Sequence, residues 1–416
     1  MEQLICRLAS QKNNPYSLIS EFQNLSPDDW SRLLQLCDFH KMKPVLYQFI
    51  RKQDLVDDIP PRHYKNLRDH VLLNSTRNIL FLHEAESLIK AFQKANIPVI
   101  GLKGIYLIEH FYDNISLRSM NDIDLLLKKK NIPSAITIAE SLGYHQTSYF
   151  DIGDQNIDTK HVPPLKKEDG PYLEIHWTIL EEDEPFTIDA NGFWDRAIST
   201  KIAGVDAKAL SMEDLVLHLC IHLTYQHHLE IGLHSLYEIH LLIQQEQDTI
   251  DWKSLSNRAR EWGAQRVIAL SLKLMEDIFG TSIPQQAYKW LIPDPIPNWI
   301  IAQARTQLFT SDKLGVLMTP DLSELANKPG LFSIIQLVFS RVFLPKIIMS
   351  RIYNIPPNSL KIYFYYPIRF YQLIKYYSRS ITQILKKEKG ALQSITNMQS
   401  ATHLKKWLIE TNNQSG

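Results

Sequence analysis

Asp122 and Asp124 stand one residue apart in Asn121-Asp122-Ile123-Asp124-Leu125-Leu126-Leu127, and Glu174 lies in a second apolar run, Tyr172-Leu173-Glu174-Ile175-His176-Trp177. Each run reads as a strand, and the two-residue period sends Asp122 and Asp124 to one face and Ile123 to the other. Like charges side by side on a buried strand are unfavourable unless a cation neutralises them, and a divalent metal is the usual answer. Three carboxylates on adjacent strands are the requirement of a two-metal phosphoryl-transfer site. A solvated strand end is the plain alternative for an isolated Asp-x-Asp pair.

The segment upstream argues against that alternative. Ala95 to Leu102 reads as a short buried strand, Lys103-Gly104 as a turn, and Ile105 to Tyr112 as a helix by its apolar spacing. Strand, turn and helix in this order leave backbone N–H groups and the positive end of the helix dipole at Gly104, which suits a phosphate. Arg118 follows just before the acidic strand, where a bidentate guanidinium could meet phosphate oxygens.

On these residues the chain resembles the uncharacterised nucleotidyltransferase family of the DNA polymerase beta superfamily. The match runs through Leu102 to Gly104, Tyr112, Arg118, Asp122 to Leu126 and Glu174 to Trp177. It extends to Trp30 to Ile50, with His40 and Pro44, and to Leu215 to His222, Tyr237 to His240 and Asp251-Trp252. Lys103-Gly104 replaces the superfamily's usual Gly-Ser or Gly-Gly, and the interval to Asp122 is longer than usual. The resemblance implies transfer of a nucleoside monophosphate from a nucleoside triphosphate to an acceptor the sequence does not identify. It implies Asp122, Asp124 and Glu174 as catalytic ligands of Mg²⁺, and Lys103, Gly104 and Arg118 as the triphosphate contacts. A non-catalytic binding or scaffold protein on the same fold is the second reading.

The expected fold is α+β, a small mixed sheet flanked by helical regions. The boundaries expected are 1–95 helical, 96–205 the nucleotidyltransferase core, 206–300 helical, and 301–416 a basic, aromatic-rich helical region. Ser26 before Pro27-Asp28-Asp29 and Ser211 before Met212-Glu213-Asp214 are helix caps, and Gly143 ends a helix begun at Ile132. Further strands are expected at Tyr144 to Ile152 and His161 to Leu165.

His218 and His222 have metal-ligand spacing, but Leu219 occupies the glutamate position of a zinc-protease helix, and no carboxylate completes a ligand set. With His227, His228, His234 and His240 they read first as packing groups between helices, and second as lining for a substrate cleft. His176 shares the strand face of Glu174 and so is within reach of the acids.

With 416 residues, 44% hydrophobic and net charge zero, the chain can bury large cores and is not drawn as a whole to nucleic acid or membrane. Cys6, Cys37 and Cys220 form no framework, which suits a reducing cytoplasm. The N-terminus lacks the pattern of a signal peptide. The apolar run Leu331 to Met349 is interrupted by Arg341, Pro345 and Lys346, so no transmembrane segment is expected. Residues 341–390 carry ten Lys or Arg against one acid, Glu388, with many interleaved aromatics. A subdomain packed on the acidic remainder is the first reading of that bias. Peripheral contact with an anionic membrane and contact with RNA are the others.

Overall fold

The computed structural model describes residues 1–10, 15–147, 160–292, 294–309, 339, 341–385 and 401–410. The chain divides into two compact units, Met1–His145 with Thr159–Phe309 and Leu408–Gly416, and Gln146–Asp158 with Thr310–Trp407.

The described residues include a mixed sheet of seven strands: β1 (Ile100–Gly101), β2 (Asp122–Leu126), β3 (His145–Gln146), β4 (Leu165–Lys166), β5 (Tyr172–His176), β6 (Ile198–Ile202) and β7 (Val205–Ala209). Their order is β3-β4-β5-β2-β1-β7-β6. The two acid-bearing strands are therefore central neighbours, and they run parallel with Asp124 opposite Glu174 and Leu126 opposite His176. A parallel pair deep in a sheet must be apolar on its other face, and Ile123, Leu125, Leu173 and Ile175 are fully buried. The expected α+β architecture with a small mixed sheet is what forms.

Helices make up most of the remainder. Ser26 closes a capping box with Asp29 at the start of Pro27–Phe39, and Ser211 caps Met212–Cys220 through the Asp214 N–H. The helix from Ile132 ends at Ser141, and Gly143 follows in the left-handed region at φ +89°. The long helix Pro61–Lys94 passes behind the loop before β2. Its Asn78 amide donates to the carbonyls of Ile115 and Arg118, both at 2.6 Å, and Asn74 donates to Ser119 Oγ at 2.9 Å. These two buried amides fix the loop that carries Arg118.

The expected strand at Tyr144 to Ile152 begins as β3, and its residues from 148 lie outside the described ones. The expected strand at His161 to Leu165 is reduced to β4 and an isolated bridge between His161 and His176. Among the described residues no helix is long and apolar enough to cross a membrane.

Candidate active site

The Leu-Lys-Gly turn is held against the acidic strand by a backbone bond from Leu102 N–H to the Asp124 carbonyl, 3.1 Å. Leu102 is extended, and Lys103 takes φ +41° as it enters the helix Lys103–His110. A side-chain-bearing residue in the left-handed region is strained, and here that turn places the Lys103 ammonium 3.3 Å from Asp124 Oδ1. Gly104 next to it has no room for a side chain, because a Cβ there would lie 2.5 Å from Arg118 Nη1. The Arg118 guanidinium thus lies directly over the first turn of the helix.

Asp122, Asp124, Glu174, Lys103, Gly104 and Arg118 all line one cavity of about 330 Å³. Ligand atoms of Asp124 and Glu174 come within 4.8 Å of one another and of His176, which lies buried behind the lining. His176 Nε2 is 2.9 Å from Asp124 Oδ1 and 3.3 Å from Glu174 Oε2. Asp122 shares the cavity but stands outside that tight group.

The electrostatics of the three acids differ. Burial, then repulsion from Asp124, pushes Asp122 up to about 6. Burial would raise Asp124 too, but Lys103 and the His176 hydrogen bond outweigh it and hold Asp124 well below the carboxylate range. Burial likewise opposes ionisation of Glu174, and the His176 hydrogen bond overcomes it. Lys103 is raised: burial disfavours its charge, and the attraction of Asp124, Glu174 and Asp122 prevails.

Across the cavity the wall is helical, and the sequence reading largely missed it. His222, His227, His234 and Glu238 line it, and Lys41, Lys160 and His161 line the cavity from outside those helices. Glu238 is 5% exposed and accepts from Arg118 Nε at 2.5 Å. Tyr112 O–H approaches the same oxygen at 3.5 Å, and His234 Nε2 lies 3.5 Å from it. Arg118 therefore reaches the cavity already paired. His40 anchors this wall: its Nδ1 accepts from Leu233 N–H at 3.2 Å and its carbonyl from His234 N–H at 3.3 Å.

The histidines divide between the two readings given them. His240 bonds Thr281 Oγ1 at 2.6 Å, and His218 is buried, as packing groups would be. His222, His227 and His234 instead face the cavity. His234 does so from the helix Leu233–Glu246, and His222 and His227 are brought together by a π turn over Ile221–Gln226, with the His227 N–H bonded to the His222 carbonyl at 3.1 Å. This wider turn brings residues five apart onto one face, and the two rings meet edge-on at 4.4 Å. A four-residue spacing rule cannot detect that pairing, although π turns often mark functional sites.

A larger cavity of about 720 Å³ opens just beyond the C-terminal ends of β2 and β5. Its lysines are set over indoles, Lys128 at 5.3 Å from Trp194 and Lys129 at 5.4 Å from Trp177. It has the volume of a ligand pocket but contains none of the three acids.

A divalent cation suits the donors present in the smaller cavity. Two carboxylates and the Nε2 of an imidazole converge within 4.8 Å of one another. Asp122, pushed toward neutrality by burial and then by Asp124, is the group a further positive charge would relieve.

The model of the uncharacterised nucleotidyltransferase family matches residues 26–280, well over half of the chain. Comparisons with curated proteins and with solved structures found no match. The chain belongs to the uncharacterised nucleotidyltransferase family.

Proposed function

We propose, from membership of that family, that this protein moves a nucleoside monophosphate from a nucleoside triphosphate to an acceptor, with Mg²⁺ held by Asp122, Asp124 and Glu174. The observation that carries the reading is the alignment of Asp124 with Glu174 across adjacent parallel strands, in a cavity shared with Lys103, Gly104 and Arg118. Bound there, Mg²⁺ would supply Lewis-acid polarisation of the phosphoryl oxygens and neutralise charge on the triphosphate.

The chain's own groups divide the remaining work. Lys103, the N–H groups at the helix start near Gly104, and the Arg118 guanidinium bind the leaving polyphosphate. Glu238 holds the Nε edge of Arg118, which fixes the plane of the guanidinium over Gly104. His176 keeps Asp124 and Glu174 side by side. Glu174, 23% exposed against 3% for Asp124, is the more open carboxylate and orients the acceptor oxygen. That oxygen bonds to the α-phosphorus, the bond to the β-phosphate oxygen breaks, pyrophosphate leaves, and the acceptor proton passes to Glu174. His222, His227 and His234 shape the opposite wall. The three cysteines are buried free thiols, compatible with a cytoplasmic location.

One observation favours the second reading, a non-catalytic nucleotide or partner binder. The Lys103 ammonium already neutralises Asp124, so that carboxylate is satisfied without a metal. Incubation with each α-labelled nucleoside triphosphate and a cell extract, with Mg²⁺ or with chelator, separates the two. Transfer predicts Mg²⁺-dependent nucleotide binding and label on an acceptor. Binding that ignores Mg²⁺, with no labelled product, would leave the binder.

A further inference from the structure

One helix of the second unit turns its most apolar side to solvent. Along the first half of Ile362–Leu385, Tyr363, Phe364, Ile368, Phe370, Tyr371 and Ile374 are 45% to 76% exposed. Their spacing of three and four residues makes two adjacent ridges, 363/370/374 and 364/368/371, which form one continuous stripe. The other side of the helix is held. Ile362 is fully buried, Tyr366 O–H donates to the Leu344 carbonyl at 2.8 Å, and Arg369 Nε donates to the Arg341 carbonyl at 2.7 Å. The outward direction of the stripe is thus fixed by bonds within the unit. A helix in a globular protein normally buries such a stripe, and a contiguous apolar patch on a surface marks an interaction site.

Charge identifies the occupant. From Arg341 to Leu385 there are seven Lys or Arg and no Asp or Glu. Lys361 and Lys375, at the two ends of the stripe, are both exposed. The same face of a second copy would bring equal positive charge against it, which opposes symmetric self-association through this stripe. RNA would stack on the aromatics, but Ile368 and Ile374, and Ile348 and Ile352 on the short helix Lys346–Tyr353, are exposed aliphatics that offer a base nothing to stack on. A bilayer interface with anionic headgroups takes both the branched aliphatics and the lysines.

We propose that this face docks in the plane of an anionic lipid surface, with Phe364, Ile368 and Tyr371 in the acyl boundary and Lys361 and Lys375 at the headgroups. The attachment proposed is peripheral, in the plane of the surface, and among the described residues no helix is long and apolar enough to cross the bilayer. The inference is independent of nucleotide transfer and would survive its failure.

The test uses the full-length protein, without nucleotide, and flotation with phosphatidylcholine vesicles with and without phosphatidylglycerol. Binding should require phosphatidylglycerol and fall roughly tenfold or more from low to high salt as headgroup attraction is screened. Phe364→Glu with Tyr371→Glu should abolish flotation without changing the circular dichroism melt, because both side chains are already exposed. Absence of flotation at low salt, equal flotation of the double variant, or filter binding to RNA at lower protein concentration than to vesicles would each overturn the proposal. So would a double variant that loses self-association in sedimentation while wild type ignores lipid.

Discussion

The two walls of the acid cavity solve the same problem, buried charge, in opposite ways. On the strand wall, register places Asp124 beside Glu174 with Asp122 two residues away, and Lys103 and His176 are the groups in direct contact with the paired carboxylates. Burial, and after it repulsion from Asp124, shows as the raised Asp122. On the helical wall, the acid Glu238 is matched by Arg118 and supported by Tyr112 and His234, while burial keeps His234 neutral down to about 4. The strand wall is poised to receive a cation. The helical wall is already satisfied and contributes shape. Unrelieved charge is therefore the better guide to where chemistry would occur.

The strongest break in that comparison is Asp124→Asn. Transfer should fall on the order of 10²–10³-fold or more, as for loss of one preorganised transition-state contact. Stability should also fall, because ionised Asp124 is favoured in the fold by Lys103 and His176. Label-transfer kinetics and urea melts check the two arms. Wild-type transfer rates in this variant would remove the strand wall from the mechanism.

Glu238→Ala tests the other wall. It leaves the buried Arg118 unpaired, and stability should drop by about 3–5 kcal/mol in denaturant melts. Replacing both partners, Arg118→Met with Glu238→Leu, should recover most of that loss, since removing a buried pair together is far milder than breaking it. The double variant also sharpens the role of Arg118. It should fold yet bind nucleoside triphosphate about tenfold more weakly, measured by titration calorimetry, if the guanidinium meets phosphate. Unchanged affinity would confine Arg118 to structure.

These contrasts also explain what the sequence made legible. The strand wall is local. Asp122-Ile123-Asp124 carries its own two-residue alternation, and Glu174 sits in an equally apolar run, so faces and partners could be anticipated. Lys103-Gly104 announced a turn because a glycine-bearing pair separates a short apolar run from a helically spaced one. The helical wall is assembled from residues far apart in sequence, 118 with 238 and 40 with 233 and 234, and no spacing encodes such pairs. The π turn at Ile221–Gln226 adds a local exception to helical periodicity. The hairpin of β6 and β7 was hidden for another reason: it is short, its first strand is mostly exposed, and Ile198-Ser199-Thr200-Lys201-Ile202 has no buried alternation to read.

The smallest expected effects come from titration, and the two walls should respond with opposite sign. Asp122 is raised from 3.8 to about 6. Its contribution is fully present below pH 4 and is lost as pH rises through 6, so ionising it destabilises the fold at neutral pH. His234 is lowered from 6.5 to about 4. Its contribution is present above pH 6.5 and is lost as pH falls toward 4. Between pH 4 and 6.5 acidification should therefore relieve the strand wall while loading the helical wall. In chelator and without nucleotide, Asp122→Asn should be more stable than wild type at pH 7 by on the order of 2 kcal/mol. It should lose that advantage near pH 4, which steepens the acid limb. His234→Asn should do the reverse to the slope, flattening the loss of stability below pH 6.5 whatever its effect on stability at pH 7. The slopes of urea-melt free energy against pH are the measurement. Other buried histidines such as His40 and His240, each also lowered to about 4, contribute equally to all three proteins and cancel in the comparison. If both variants shifted the slope in the same direction, the division into a charge-strained wall and a charge-satisfied wall would be wrong.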